Sequence, residues 1–215
     1  RVDKGLIEKY REGLIATTCC IGAYVPQTIL HDGEEKAEQE FKWWLDMFGE
    51  DYFIELQRHN LKEQEVINQV LLKFAKKYNV PVIATNDSHY TDQDDYNAHD
   101  ILLCINTGEK KSTPGYDDFV NDDINSKDRR FKFPNDQFYF KTRDEMNRVF
   151  GEIPQVLDQT VAIADRCSVK LQKVDNPFPE FEVPSGFTID SYFAKVVRDG
   201  FQDRLQHLKP MADRG

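Results

Sequence analysis

VPVIATNDSHY, residues 80–90, is the stretch on which the fold turns. Its apolar half, 80–84, has the length and β-branched content of a buried strand. Its polar half carries Asp87 and His89. Strand-end residues at i and i+2 point to the same side, so both side chains can reach one ion. The space just past a strand end is where α/β enzymes place metal or acid–base chemistry. The plainer reading is a turn in which Asn and Asp lead into the next helix.

Working upstream, the same strand–helix rhythm appears twice more. Residues 13–18 (GLIATT) read as a short strand and 34–48 as a helix, with Ala37, Phe41, Trp44, Leu45 and Phe48 at helical spacing. Residues 52–56 (YFIEL) read as a second strand. Residues 63–78 read as a second helix, with Val66, Ile67, Val70, Leu71 and Phe74 on one face. Residues 92–105 follow the third strand as a helix opened by acidic residues. This alternation predicts an α/β fold with a parallel sheet. Three units are too few to close a barrel, so either the sheet is open or the rest of a barrel is missing. The segments after the three strands, near Cys20, 57–59 and 86–89, converge on the C-terminal face of such a sheet.

Candidate site residues follow from that convergence. Cys20 lies just past the first strand, and thiolate is a good zinc ligand, although a small buried cysteine is the commoner role. Cys19 points the opposite way and is expected to pack. Glu55 is the only charge inside an apolar run, which requires a partner: Arg58, another polar group or the metal region. His59, in QRHN, is a candidate for lining the same face, or a turn residue. His99 is expected to pack within its helix, Cys104 and Cys167 to be structural, and His31 and His207 to lie at the surface.

Downstream, 106–136 is rich in Lys, Asp, Asn, Gly and Pro and is expected to be exposed and partly mobile. The Asp117–Asp118 and Asp122–Asp123 pairs there read as a solvated charge run. Residues 137–141 (QFYFK) are a candidate strand, and TRDE from Thr142 is a capping box opening a helix. A further helix is expected over 154–167, a proline-rich linker over 174–186 and an amphipathic helix over 188–208. The expected division is 1–105, 106–136, 137–175 and 176–215.

The chain has 215 residues, 40% hydrophobic, with net charge −10. So acidic a surface suits non-specific nucleic-acid binding poorly. No apolar run is long enough for a membrane helix. Four cysteines without a CxxC favour a reducing, cytoplasmic setting. A phosphate-binding Gly-rich loop and a GxSxG motif are both absent. The start at Arg1, in mid-pattern, reads as a piece of a longer protein.

Residues 80–108 (VPVIATNDSHYTDQDDYNAHDILLCINTG) strongly resemble the PHP (polymerase and histidinol phosphatase) domain of the bacterial DNA polymerase III alpha subunit. GLIATTCCIG, YFIELQRH, FYFKTRDEMNRVF and IPQVLDQTVAIADRC agree in order. PFPEFEVPSG resembles the passage toward the polymerase body. The resemblance covers nearly the whole chain.

The resemblance implies a partial, distorted (β/α) barrel followed by a mainly helical segment. It implies a centre of divalent metal ions (zinc, manganese or magnesium). By position, Cys20, Asp87 and His89 become metal ligands; the remaining family ligands would precede Arg1. Ala23–Tyr24 departs from the family's usual Gly-Glu. The polymerase's catalytic aspartates would follow Gly215, so no catalytic residue is expected in this chain. The implied parent is a replicative polymerase using primer–template DNA and deoxynucleotides, with proofreading and sliding-clamp subunits as partners and no membrane. Its PHP domain would be a metal-dependent phosphoesterase, a 3′→5′ exonuclease, or a structural remnant. The alternatives are a free-standing PHP phosphoesterase and a purely structural interaction module. A complete metal cluster is not expected in this chain alone.

Overall fold

The computed structural model describes residues 2–115, 129–173 and 181–212. The charge run at 117–123 and the first part of the proline-rich linker lie outside the described residues. Contacts divide the chain into one compact unit over Arg1–Ser168 and another over Val169–Gly215.

The first unit holds a three-stranded parallel sheet in the order β1 (Ala16–Thr17), β2 (Tyr52–Leu56), β3 (Val82–Ala84). Ala16 pairs with Tyr52, and Ile54 with Val82. Between the strands run α2 (Tyr24–His31), α3 (Glu34–Phe48) and α4 (Lys62–Tyr78); α1 (Lys4–Tyr10) precedes β1. After β3 come α5 (Tyr96–Thr107), α6 (Arg143–Val149) and α7 (Gln155–Arg166). This is the expected partial PHP-type α/β architecture.

Local chemistry sets the helix ends. Glu34 and Glu35 favour the positive N-terminal end of α3, and Gly49, at φ 53°, ends it. Lys76 and Lys77 suit the last turn of α4, which Asn79 stops in the left-handed region. Thr142 and Glu145 form the expected reciprocal capping box on α6.

The core lies between α3, α4 and β2. The fully buried Phe41 ring lies 5.3 Å from Tyr52 and 5.2 Å from Phe74. Replacing Phe41 with Ala should cost about 3–5 kcal/mol. Residue Val66, expected on the buried face of α4, is exposed. Gln64 and Asn68 are buried in that helix instead, because they hydrogen-bond the chain leaving β2: Asn68 Nδ2 donates to the Gln57 carbonyl at 3.0 Å.

Two other expectations change. Residues 137–141 form no strand; Tyr139 makes one isolated parallel bridge with Tyr90. Nor is the end of the 106–136 excursion exposed, since Arg130 and Phe133 are both buried.

The second unit contains α8 (Ile189–Ala212). Ser191 N donates to Thr188 Oγ1 at 3.2 Å, and the Tyr192 ring stacks 6.0 Å from Phe181.

Candidate metal centre

Each strand of the sheet delivers one part of the site at its C-terminal end. From β3 come Asp87 and His89, whose Oδ1 and Nε2 lie 3.2 Å apart; both are partly exposed. The His89 ring packs 4.5 Å from Phe133, and its backbone N–H donates to the Phe138 carbonyl at 2.7 Å.

From β1 come Cys19 and Cys20. Cys20 is half-buried, and its thiol is lowered to about 6, first by a hydrogen bond with the Cys19 side chain. The Asp87 charge works against that, so Cys20 lies within electrostatic reach of Asp87. The Cys19 thiol is raised in turn. Cys19 was expected to pack, but it is exposed: its left-handed backbone, φ 61°, turns it out of the strand alternation.

From β2 come Glu55 and His59. Glu55 finds neutral donors rather than Arg58: Thr17 Oγ1 at 2.5 Å, Gln57 Nε2 at 3.0 Å and the Thr85 hydroxyl. It ties the ends of all three strands together. Arg58 pairs with Glu152.

His59 is fully buried and stacks on Phe138 at 4.3 Å, nearly parallel. Gln64 Nε2 lies 2.9 Å from its Nδ1, and the Asp87 backbone N–H points at its Nε2 across 3.3 Å. A neutral ring accepts at one nitrogen only, so only one of these contacts is a hydrogen bond at a time. Burial, reinforced by the Lys141 charge, lowers the ring to about 4. His59 is therefore neutral near pH 7 and underlies the Asp87 turn.

Sequence reasoning missed three participants. The His99 ring lies 5.9 Å from that of His89, and its buried Nδ1 has no hydrogen-bond partner among the described residues. Its helical spacing suggested packing alone; the signal was its place in a helix directly following the site turn. Asn86 donates from Nδ2 to the Tyr139 carbonyl and to Ser88 Oγ, the latter at 3.0 Å. Lys141 is buried against that amide.

Among the described residues, no group of three or more His, Cys, Asp and Glu side chains is arranged to hold a metal ion. Asp87 and His89 are a carboxylate–imidazole pair, and Cys20 is a depressed thiol within reach of that pair's charge. The donor chemistry suits a divalent ion, but the set is incomplete as placed. No helix among the described residues is long and apolar enough to cross a membrane.

Comparison with known proteins bears on this arrangement. A PHP-domain profile matches residues 1–59, a span holding Cys20, Glu55 and His59. The chain is 37% identical to DNA polymerase III subunit alpha of Borreliella burgdorferi over 210 residues, 97% of this chain and 17% of that protein. It is 37% identical to the Thermus aquaticus subunit over 92% of this chain and 16% of that protein. With the Treponema pallidum subunit the identity is 33%, over 99% of this chain and 18% of that protein. The chain thus spans less than a fifth of the length of these relatives.

Proposed function

We propose that this chain, which belongs to the DNA polymerase III alpha-subunit family and carries part of a PHP domain, works as the PHP region of a replicative DNA polymerase. The whole protein would copy primer–template DNA from deoxynucleotides, alongside proofreading and sliding-clamp subunits. The similarity to alpha subunits runs far past the PHP match at residue 59, which favours this reading over a free-standing phosphoesterase.

The observation that carries the site reading is the 3.2 Å Asp87–His89 pair just past the end of β3, whose carboxylate acts electrostatically on Cys20. These three would supply part of a divalent-metal centre. Bound metal there would activate water and stabilise the leaving oxygen of a phosphodiester, as in 3′→5′ excision. A second reading keeps the PHP fold as a scaffold.

Metal analysis and a mismatch-excision assay on the full-length protein separate the readings. Asp87→Asn and His89→Ala should each lower bound zinc or manganese, and with it cleavage of a 3′-mismatched primer. Unchanged metal content in both variants would remove the ligand assignment. Loss of metal with no excision in the parent protein would leave the scaffold reading. This chain alone should show no metal-dependent nuclease activity.

A further inference from the structure

We infer that Lys141 is a positioning residue for the Asp87–His89 pair, acting through the side-chain amide of Asn86. The inference deepens the proposed metal-site reading and rests on it for its functional consequence.

Lys141 is only 8% exposed. A buried ammonium ordinarily sits beside a carboxylate; Glu145 and Asp136 act on Lys141 through space, while the groups it hydrogen-bonds are neutral. Its Nζ donates to Asn86 Oδ1 at 3.4 Å and to the Gln137 carbonyl, and lies 4.3 Å over the Tyr139 ring. Desolvation of that ammonium is a standing cost. The contact it makes with Asn86 explains where that cost is spent.

Asn86 begins the turn that presents Asp87 and His89. Its oxygen receives Lys141 while its nitrogen donates to the Tyr139 carbonyl. The Lys141 donor therefore favours the same orientation of the amide as the Tyr139 carbonyl does. Beyond Asn86, Ser88 Oγ reaches the Tyr139 carbonyl at 3.5 Å and the His89 N–H reaches the Phe138 carbonyl at 2.7 Å. The Phe140 N–H returns to the Tyr90 carbonyl at 3.1 Å. The turn is thus stitched to residues 138–141 from end to end, and Lys141 closes the stitch at the end nearest β3.

Below this junction, Lys141 and Asp87 both act electrostatically on the buried His59 ring. The Tyr139 ring under the ammonium is itself fixed by its hydroxyl, which donates to Glu145 Oε1 at 2.7 Å. Glu145 belongs to the α6 capping box. A rigid helix end, an aromatic ring, the ammonium and the amide therefore run in sequence to the turn. Groups that hydrogen-bond metal ligands directly alter affinity about 10–100-fold when removed; Lys141 acts one contact further out, through Asn86.

The test uses the full-length protein and the variants Lys141→Met, Lys141→Arg, Asn86→Ala and the exposed control Lys42→Met. Two quantities are measured: zinc and manganese affinity, and hydrogen exchange of the 86–90 backbone in metal-free protein. Lys141→Met should weaken metal binding at least 10-fold and speed exchange at 86–90 by a similar factor. Lys141→Arg should restore most of both, and Lys42→Met should change neither. Asn86→Ala should match Lys141→Met, and the double variant should be no worse than either single one, because the two act in series.

Unchanged exchange in Lys141→Met overturns the inference whatever the metal result. Faster exchange with unaltered affinity, while Asp87→Asn loses metal, also overturns it. If Asp87→Asn keeps its metal, the metal reading fails, and exchange alone then decides whether Lys141 positions the turn. Failure of Lys141→Arg to rescue would mean that a donor at this position is not what holds the turn, and would overturn it too.

Discussion

Asp100 of α5 and Arg130 form a buried two-pronged ion pair, with Oδ1–Nη1 at 2.6 Å and Oδ2–Nη2 at 2.9 Å. Arg130 also reaches the Thr113 carbonyl through Nε at 3.1 Å. The pair fastens the chain at 130 to the helix that carries His99. Three residues on, Phe133 lies against His89 and His99. One ion pair therefore links a composition-biased segment to the candidate site.

Breaking that pair from one side leaves a buried charge alone. Asp100→Asn or Arg130→Met should each cost about 3–5 kcal/mol, and the double variant Asp100→Leu/Arg130→Met less than the two together. Arg130 holds the Asp100 carboxyl below its usual range. A depressed carboxylate contributes stability that is present above its unfolded pKa, about 3.9, and lost as pH falls through the folded value. Asp100→Asn should therefore flatten the acid limb of a denaturation-against-pH series. An unaltered limb would show that the pair contributes nothing there.

Cys19 adopts a backbone conformation that suits glycine. Cys19→Gly should stabilise the fold by roughly 0.5–1 kcal/mol. It also removes the thiol whose hydrogen bond lowers Cys20. The pH midpoint of Cys20 alkylation should rise from about 6 toward the ordinary thiol value, about 8.5. Cys19→Ser, which keeps a donor, should retain part of the depression. The same midpoint in all three proteins would assign the depression to some other group.

The sheet and the long helices were legible because each carries its own period. β2 begins and ends where YFIEL does, and α3 spans the apolar stripe from Ala37 to Phe48. The short α1 and α2 were not anticipated, since seven or eight residues hold too little periodicity to stand out. QFYFK looked like a strand because its aromatics suit one, yet it serves as a brace along the 86–91 turn. At the candidate site, the spacing of Asp87 and His89 put both on one side of the strand end, where the structure brings them to 3.2 Å. Lys141, Asn86 and His99 were not legible in this way, because their roles depend on contacts up to 55 positions apart in sequence. Glu55 demanded a partner, but three neutral side chains from three segments could not be read from YFIEL.

Gln64 meets His59 at two points: its Oε1 accepts the His59 backbone N–H at 2.7 Å, and its Nε2 lies 2.9 Å from the ring Nδ1. Gln64→Leu preserves bulk and removes both contacts. It should cost about 1–3 kcal/mol, the usual penalty for stranding buried polar groups. A melting temperature within error of the parent's would mean that water replaces the amide without loss.

His59 itself sets a pH dependence on the acid side. Its folded pKa, lowered to about 4 by burial and by Lys141, lies below the unfolded value, about 6.5. Protonation therefore favours the unfolded chain. The stability the neutral ring contributes is complete above about pH 6.5 and is lost as pH falls toward 4, by on the order of 3 kcal/mol in all. His59→Phe keeps the stack on Phe138 but does not titrate. It should lose the Gln64 contact at every pH, yet show a shallower fall in stability between pH 6.5 and 4 than the parent. Denaturant midpoints measured across that window decide it. Parallel curves for the two proteins would place the acid sensitivity on groups other than His59, and a steeper curve for His59→Phe would show that the buried ring does not hold a depressed pKa.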